Sequence, residues 1–134
     1  MPTMLIRSIG AKNFKSLTDF ELDLAKFTVL IGLNGAGKSS VLQFIDFIAQ
    51  LVRGNLKGWL EERHWRPKEL VSQFTTRKNI EFHVELGSGT DDRGISWKGN
   101  FNTTQLHCNS ERIETPEAAL EVKDGHLWIY SSSK

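Results

Sequence analysis

The sequence is short of almost everything that would take a chain out of the cytoplasm. Its 134 residues include a single cysteine, Cys108, so no disulfide can close within the chain, as expected for a reducing compartment. No run of 18 or more apolar residues is present, and no apolar leader follows a basic start. A helical membrane span and a secretory signal are therefore not expected, and the chain is expected to be soluble and cytoplasmic with no membrane partner. Charge of one sign is lacking too: 17 Lys and Arg stand against 16 Asp and Glu. The overall field therefore points to no partner by itself. Split at Thr76, the first part carries ten Lys/Arg against seven Asp/Glu and the second seven against nine. That makes the front end mildly basic. With 39% hydrophobic and 25% charged residues, the length suits one globular domain.

Periodicity divides the chain in two. Residues 4–14 mix apolar and basic side chains without a helical stripe. Phe20, Leu22 and Leu24 alternate with Glu21 and Asp23, the period of a half-buried strand. Residues 27–31 (FTVLI) form a short apolar run suited to a strand buried on both faces. A glycine-rich stretch follows, and a helix pattern starts at Lys38. Val41, Leu42, Phe44, Ile45, Phe47, Ile48, Leu51 and Val52 recur at spacings of three and four, with Gly54 as the stop. Leu56–Leu60 and Glu69–Phe74 suggest short helices either side of Pro67. From Ile80 onward the period is two. Strands are expected at 80–86, at 95–101 with Gly99 as a bulge, at Leu106 and Cys108, at 112–115 and at 118–122. Asp124-Gly125 before Leu127–Tyr130 reads as a hairpin turn. The expected organisation is one domain over 1–134. A strand, loop and helix core spans 1–54, a connection 55–77 and an antiparallel meander 78–130.

One stretch carries chemistry. Gly32-Leu-Asn34-Gly35-Ala36-Gly37-Lys38-Ser39 matches G-x-x-x-x-G-K-[ST] at every fixed position. A loop that wraps a phosphate needs glycines, which adopt unusual φ and put no Cβ in the way. Backbone N–H groups from Gly35 to Ser40 would point at phosphate oxygens, and the helix N-terminus adds partial positive charge. Lys38 would sit between the β- and γ-phosphates, and the Ser39 hydroxyl would ligate Mg²⁺. The four fixed residues arise by chance in on the order of one chain in a few hundred. A buried strand before them and a helix after them, each expected on separate grounds, make the match specific.

Asn13-Phe14-Lys15-Ser16, followed by Thr28-Val-Leu-Ile-Gly-Leu-Asn-Gly-Ala-Gly-Lys-Ser-Ser40-Val-Leu-Gln-Phe-Ile45, resembles the amino-terminal lobe of ABC-type ATPases of the RecF/SMC/OLD kind. That group includes AAA-type relatives in bacterial DNA maintenance and repair and in anti-phage defence. The resemblance is strong over residues 4–53 and architectural beyond Gly54. It implies an α/β P-loop NTPase fold with an antiparallel β-subdomain, with ATP and Mg²⁺ as cofactors. Gly32, Asn34, Gly35, Ala36, Gly37, Lys38, Ser39 and Ser40 would hold the nucleotide, with Lys15 and Ser16 near its base and phosphates. It also implies a glutamine that senses metal and γ-phosphate, for which Gln73 is the candidate by location and Gln105 a second.

Two heads of such proteins would sandwich two ATP molecules, so the implied partners are a dimerising head, a carboxyl-terminal ATPase lobe and DNA. The Leu-Ser-Gly-Gly-type signature, the Walker B strand ending in Asp-Glu, the D-loop and the switch histidine have no counterpart here. Asp91-Asp92 follows Gly-Ser-Gly-Thr and reads as a solvated turn. Without a Walker B carboxylate the attacking water has no base, so ATPase activity is expected only when a second lobe completes the site. The alternative is a self-standing nucleotide-binding or regulatory module without turnover.

Residues 57–68 interleave Lys57, Arg63, Arg66 and Lys68 with Trp59 and Trp65, as single-stranded nucleic-acid surfaces do. A nucleic-acid-binding module is thus a further alternative. The plainer reading is a surface helical segment whose tryptophans pack down and whose field Glu61 and Glu62 weaken. His64, His83, His107 and His126 show no metal-ligand spacing. Cys108 lacks an activating base and reads as a small core residue, as do Trp97 and Trp128.

Overall fold

Period-two alternation becomes a single sheet in the computed structural model, which describes residues 3–88 and 94–131. β1 (Met4–Phe14) and β2 (Leu17–Asp23) form a hairpin, followed by α1 (Lys38–Arg53) and α2 (Leu56–Glu62). A 3-10 turn at Pro67–Glu69 leads to β3 (Asn79–Ser88), β4 (Gly94–Asn102), β5 (His107–Glu114), β6 (Ala118–Lys123) and β7 (His126–Ser131). The seven strands lie in the order β2-β1-β3-β4-β5-β6-β7, and every neighbouring pair is antiparallel. Asp124 and Gly125 both take positive φ (52° and 75°), the geometry of the tight hairpin turn expected between β6 and β7. Asp91-Asp92 lies outside the described residues. No described helix is long and apolar enough to cross a membrane.

The register explains the core. Leu22, Ile9, Val84, Trp97, Ile113, Leu120 and Ile129 stand opposite one another across all seven strands, a continuous apolar row on one face. α1 lays Val41, Phe44, Phe47 and Ile48 against this face. Phe14, Phe44, Phe47 and Phe101 form a ring cluster, with Phe47 5.4 Å from Phe14 and 5.3 Å from Phe101 between centroids. Each of these four rings is fully buried. The other face of the sheet carries Asp19, Glu21, Lys12, Glu81, His83, Lys98 and Arg112, as suits a sheet with one wet side.

Four expectations need correction. Phe27–Ile31 is not a strand: it is irregular and exposed, with Phe27 at 84% and Ile31 at 91%. A strand buried on both faces needs partners on both sides, and all seven described strands are committed to the antiparallel sheet. Glu69–Phe74 is not a helix either. After the turn at Pro67, the backbone bonds of this segment go to β1, with Lys15 N–H donating to Leu70 (2.9 Å) and Val71 bridging Phe14. Leu42 and Val52 share the helical spacing of the buried face yet are exposed, because the sheet covers only one side of α1. Trp128, at 53% exposure on the edge strand β7, is not a core residue.

Leu106 lies in the turn before β5 with φ of 55°, and His107 to Glu114 form one strand where two pieces were expected. Beside Gly99 the pairing of β4 with β5 shifts register at Asn100/Phe101, the irregularity that glycine foretold.

Candidate nucleotide site

The loop at 32–37 owes its shape to its glycines. Gly35 and Gly37 adopt φ of 85° and 97°, a region costly for residues with a Cβ. At Gly37 a side chain would also come within 3.4 Å of the Ser16 hydroxyl. Ala36 N–H donates to Leu33 O at 3.1 Å, closing the loop on itself. α1 then starts at Lys38 with Gly37 as N-cap. No side chain caps it, and its first turn holds no acidic residue. The first ladder bond runs from Val41 N–H to Gly37 O (3.0 Å), so the amides of Lys38, Ser39 and Ser40 have no acceptor within the helix. These orphan donors and the helix dipole favour an anion.

Lys38 bends back over this loop. Its ammonium donates to the carbonyl of Gly32 and to that of Leu33 (3.3 Å). A cation satisfied only by carbonyl oxygens is available to a stronger, anionic acceptor. Gly32, Asn34, Gly35, Ala36 and Ser39 are exposed around it, while Gly37, Lys38 and Ser40 are half-buried. Ser39 makes no side-chain hydrogen bond among the described residues, leaving a hard oxygen donor free in the first turn.

β1 delivers the second half of the site. Asn13 and Lys15 take left-handed φ (67° and 47°), so the chain turns sharply around Phe14 while that ring anchors the core. The Ser16 hydroxyl donates to the Ser40 hydroxyl at 2.7 Å, which ties residues 13–16 to the first turn of α1. Lys15 stands beside this contact with its ammonium 3.8 Å from the centroid of Trp65. Burial lowers the Lys15 pKa, Glu69 pulls it back up, and Arg63 lowers it again, leaving it below the ordinary lysine value.

Gln73 is exposed in the turn after Ser72, whose amide reaches the Asn13 carbonyl at 3.3 Å. It therefore falls at the same end of the sheet as Lys15. Gln105 sits in the exposed turn between β4 and β5 at that same end, its amide bound to the Asn102 side chain (3.0 Å).

Two features were not foreseen. Asn13 is buried, and its side chain is fully used: Nδ2 donates to the carbonyls of Arg77 (3.0 Å) and Asn79 (2.9 Å). Its Oδ1 accepts from Ser72 N–H (3.3 Å) and the Thr75 hydroxyl (2.6 Å). Asn13 thus holds the 72–79 segment, including Gln73, against the end of β1. The second feature is Asp46, in the middle of α1, which accepts from Trp59 Nε1 (2.8 Å), Arg63 (2.7 Å) and Gln50 (3.2 Å). Burial works against its charge, but the bonds from Trp59 and Gln50 and the Arg63 guanidinium outweigh it and hold the carboxyl below its ordinary pKa.

The same contacts also order residues 57–68. Trp59 is buried with its indole N–H bound to Asp46, and Arg63 stacks on Trp59 and Trp65 (5.1 and 4.9 Å) while paired with Asp46. Trp59 is thus taken up by the core, whereas Trp65 is half-buried and Lys57, Arg63, Arg66 and Lys68 remain exposed. Among the described residues no group of three or more His, Cys, Asp or Glu is placed to hold a metal. Cys108 is part-buried against the core, and burial, aided by Glu111, pushes its thiol up to about 12.

Comparison with known proteins gives this geometry a context. A family described as AAA ATPase domain matches residues 4–125. The chain is 32% identical over 109 residues to the OLD nuclease of Thermus scotoductus, covering 80% of this chain and 18% of that protein. It is 31% identical over 88 residues to the DNA double-strand break repair Rad50 ATPase of Methanococcus maripaludis, covering 65% of this chain and 8% of the relative. In fold it matches a RecF structure with ATP in the RecFOR pathway, at TM-score 0.56 and 19% identity over 96% of this chain and 29% of that one. It also matches an SMC ATPase structure, at TM-score 0.57 and 20% identity over 83% and 69%. The chain therefore spans less than a fifth of the two curated relatives named. Its fold is that of the amino-terminal lobe of a P-loop ATPase head with an antiparallel β-subdomain.

Proposed function

Because the chain belongs to the AAA ATPase domain family, we propose that it binds MgATP through Gly32, Asn34, Gly35, Ala36, Gly37, Lys38, Ser39 and Ser40, with Lys15 and Ser16 at the rim. The observation that carries this reading is the uncapped start of α1 behind a left-handed glycine loop, with the Lys38 ammonium folded onto that loop's own carbonyls. A triphosphate supplies anionic oxygens that these carbonyls only imitate, and it meets the orphan amides of residues 38–40.

Ser39 is the Mg²⁺ ligand in this proposal, with Gln73 as a candidate second contact. The donor set fits: a free hydroxyl and an amide oxygen are hard ligands, and Mg²⁺ keeps most of its shell as water and phosphate oxygen. When bound, the metal supplies charge neutralisation across the phosphates.

The single domain over 1–134 is proposed to act with a carboxyl-terminal ATPase lobe that brings the Walker B carboxylate, and so to hydrolyse ATP only in that company. The exposed run 27–31 supports this. It is apolar, directly precedes the loop and has no strand partner among the described residues. The SMC ATPase whose structure this fold matches undergoes ATP-driven dimerization and DNA-stimulated activation. By that likeness the complete protein would pair its heads and act on DNA in the cytoplasm, in repair, maintenance or phage defence.

The metal assignment is tested by titrating ATP with and without Mg²⁺ into the wild-type chain and Ser39→Ala. The proposal expects Mg²⁺ to tighten binding in the wild type and to tighten it far less in the variant. Equal Mg²⁺ dependence in the two proteins would remove Ser39 from the metal site.

A further inference from the structure

We infer that Trp65 is a positioning residue for the phosphate site: it holds the Lys15 ammonium on its ring until nucleotide enters the loop, and the cation then leaves the ring for the phosphates. The inference rests on the nucleotide-binding reading above and goes beyond it by naming what the loop's occupancy moves.

Lys15 carries an unusual cation. The residue is in the left-handed region (φ 47°), which is costly for a residue with a Cβ. Its amide is fixed by Leu70 O at 2.9 Å. Its ammonium is partly desolvated and forms no salt bridge among the described residues: Glu69 attracts it from nearby but is engaged with Arg66 through the backbone amide (2.6 Å) and the side chain (3.4 Å). What faces it is the Trp65 ring at 3.8 Å.

Trp65 is itself held in place. It stands edge-on to Trp59 at 5.4 Å with Arg63 beside both rings, and Asp46 of α1 fastens Trp59 and Arg63. A cation–π contact is a weaker partner than a phosphate oxygen. The residue after Lys15 already touches Ser40 in the first turn of α1, so the backbone carrying the cation is joined to the turn where an anion would sit.

The test follows the indole N–H resonances of the wild-type chain while MgATP is titrated in, with binding measured in parallel by calorimetry. Trp59, Trp65, Trp97 and Trp128 are assigned from single Trp→Phe variants. The expected result is a saturable shift of Trp65 well beyond those of Trp97 and Trp128. The shift should be lost in Lys15→Met at nucleotide saturation and kept in Lys15→Arg, which preserves a cation on the ring. Lys15→Arg carries the test if Lys15→Met fails to fold or bind. Heat without any Trp65 shift overturns the inference and leaves nucleotide binding standing, as does a shift that persists in Lys15→Met or vanishes in Lys15→Arg. No heat in the wild type overturns both.

Discussion

Asn13 shows how one side chain can hold a loop. Its amide satisfies four partners within residues 72–79 while its own backbone occupies the left-handed region, which asparagine tolerates better than most residues. Asn13→Ala removes the donor to the Arg77 and Asn79 carbonyls and the acceptor of the Thr75 hydroxyl at a part-buried position, and we expect a loss of about 1–3 kcal/mol in urea unfolding. An unchanged midpoint would mean that water replaces the amide.

Cys108 gives a second prediction. Burial, with Glu111, raises its thiol from about 9 to about 12, so at pH 8 the native thiolate is much scarcer than in the unfolded chain. Iodoacetamide should label it slowly in buffer and rapidly in urea. Because the folded pKa is raised, the linked stability is present below pH 9 and is lost as pH climbs towards 12. Asp46 runs the other way. Its depressed folded pKa makes its contribution full above the ordinary carboxylate range and lost as acid carries pH below it. Asp46→Asn should therefore flatten the acid limb of a pH–stability profile, and an identical limb in both proteins would contradict this. Cys108 was legible from its alternating strand and lack of a base. The role of Asn13 was not, because its partners lie some 60 residues away and no local pattern announces them.

Among elements, α1 was legible to the residue, because a sixteen-residue apolar stripe, the preceding glycine loop and Gly54 all mark the same boundaries. Gly54 indeed closes it in the left-handed region (φ 70°), its N–H returning to Gln50 O at 2.9 Å. The strands of the second half were legible for a similar reason, since alternation survives wherever one face is wet. Residues 27–31 misled because composition states what a segment can bury, whereas burial depends on neighbours, and no strand among the described residues lies beside it. The helix is also where packing matters most. Phe47 touches Phe14, Phe44 and Phe101, and Phe47→Ala should cost about 3–5 kcal/mol by chemical denaturation. A cost below 1 kcal/mol would show that the four rings repack around the hole.

For the whole molecule, the telling feature is a gradient along one row of the sheet. Ile9 and Val84 beneath α1 are 1% and 2% exposed, whereas Ile113, Leu120 and Ile129 farther out reach 39%, 41% and 69%. The helices cover the β1, β3 and β4 end, and β7 closes the sheet as an edge with no charged side chain. The opposite edge, β2, is guarded by Asp19, Glu21 and Asp23. Together with the bare run at 27–31, these surfaces predict self-association. Light scattering should show species above the monomer mass at high concentration, reduced by Leu127→Lys with Ile129→Lys. A clean monomer throughout would contradict the expectation.

Whether the loop at 32–40 takes up a nucleotide in this lobe is decided by calorimetry. MgATP is titrated into the wild-type chain and into Lys38→Ala at matched salt. Saturable heat is expected in the wild type and its loss in Lys38→Ala, with the two proteins unfolding alike. Equal binding by both, or none by a folded wild type, would contradict nucleotide uptake by the loop.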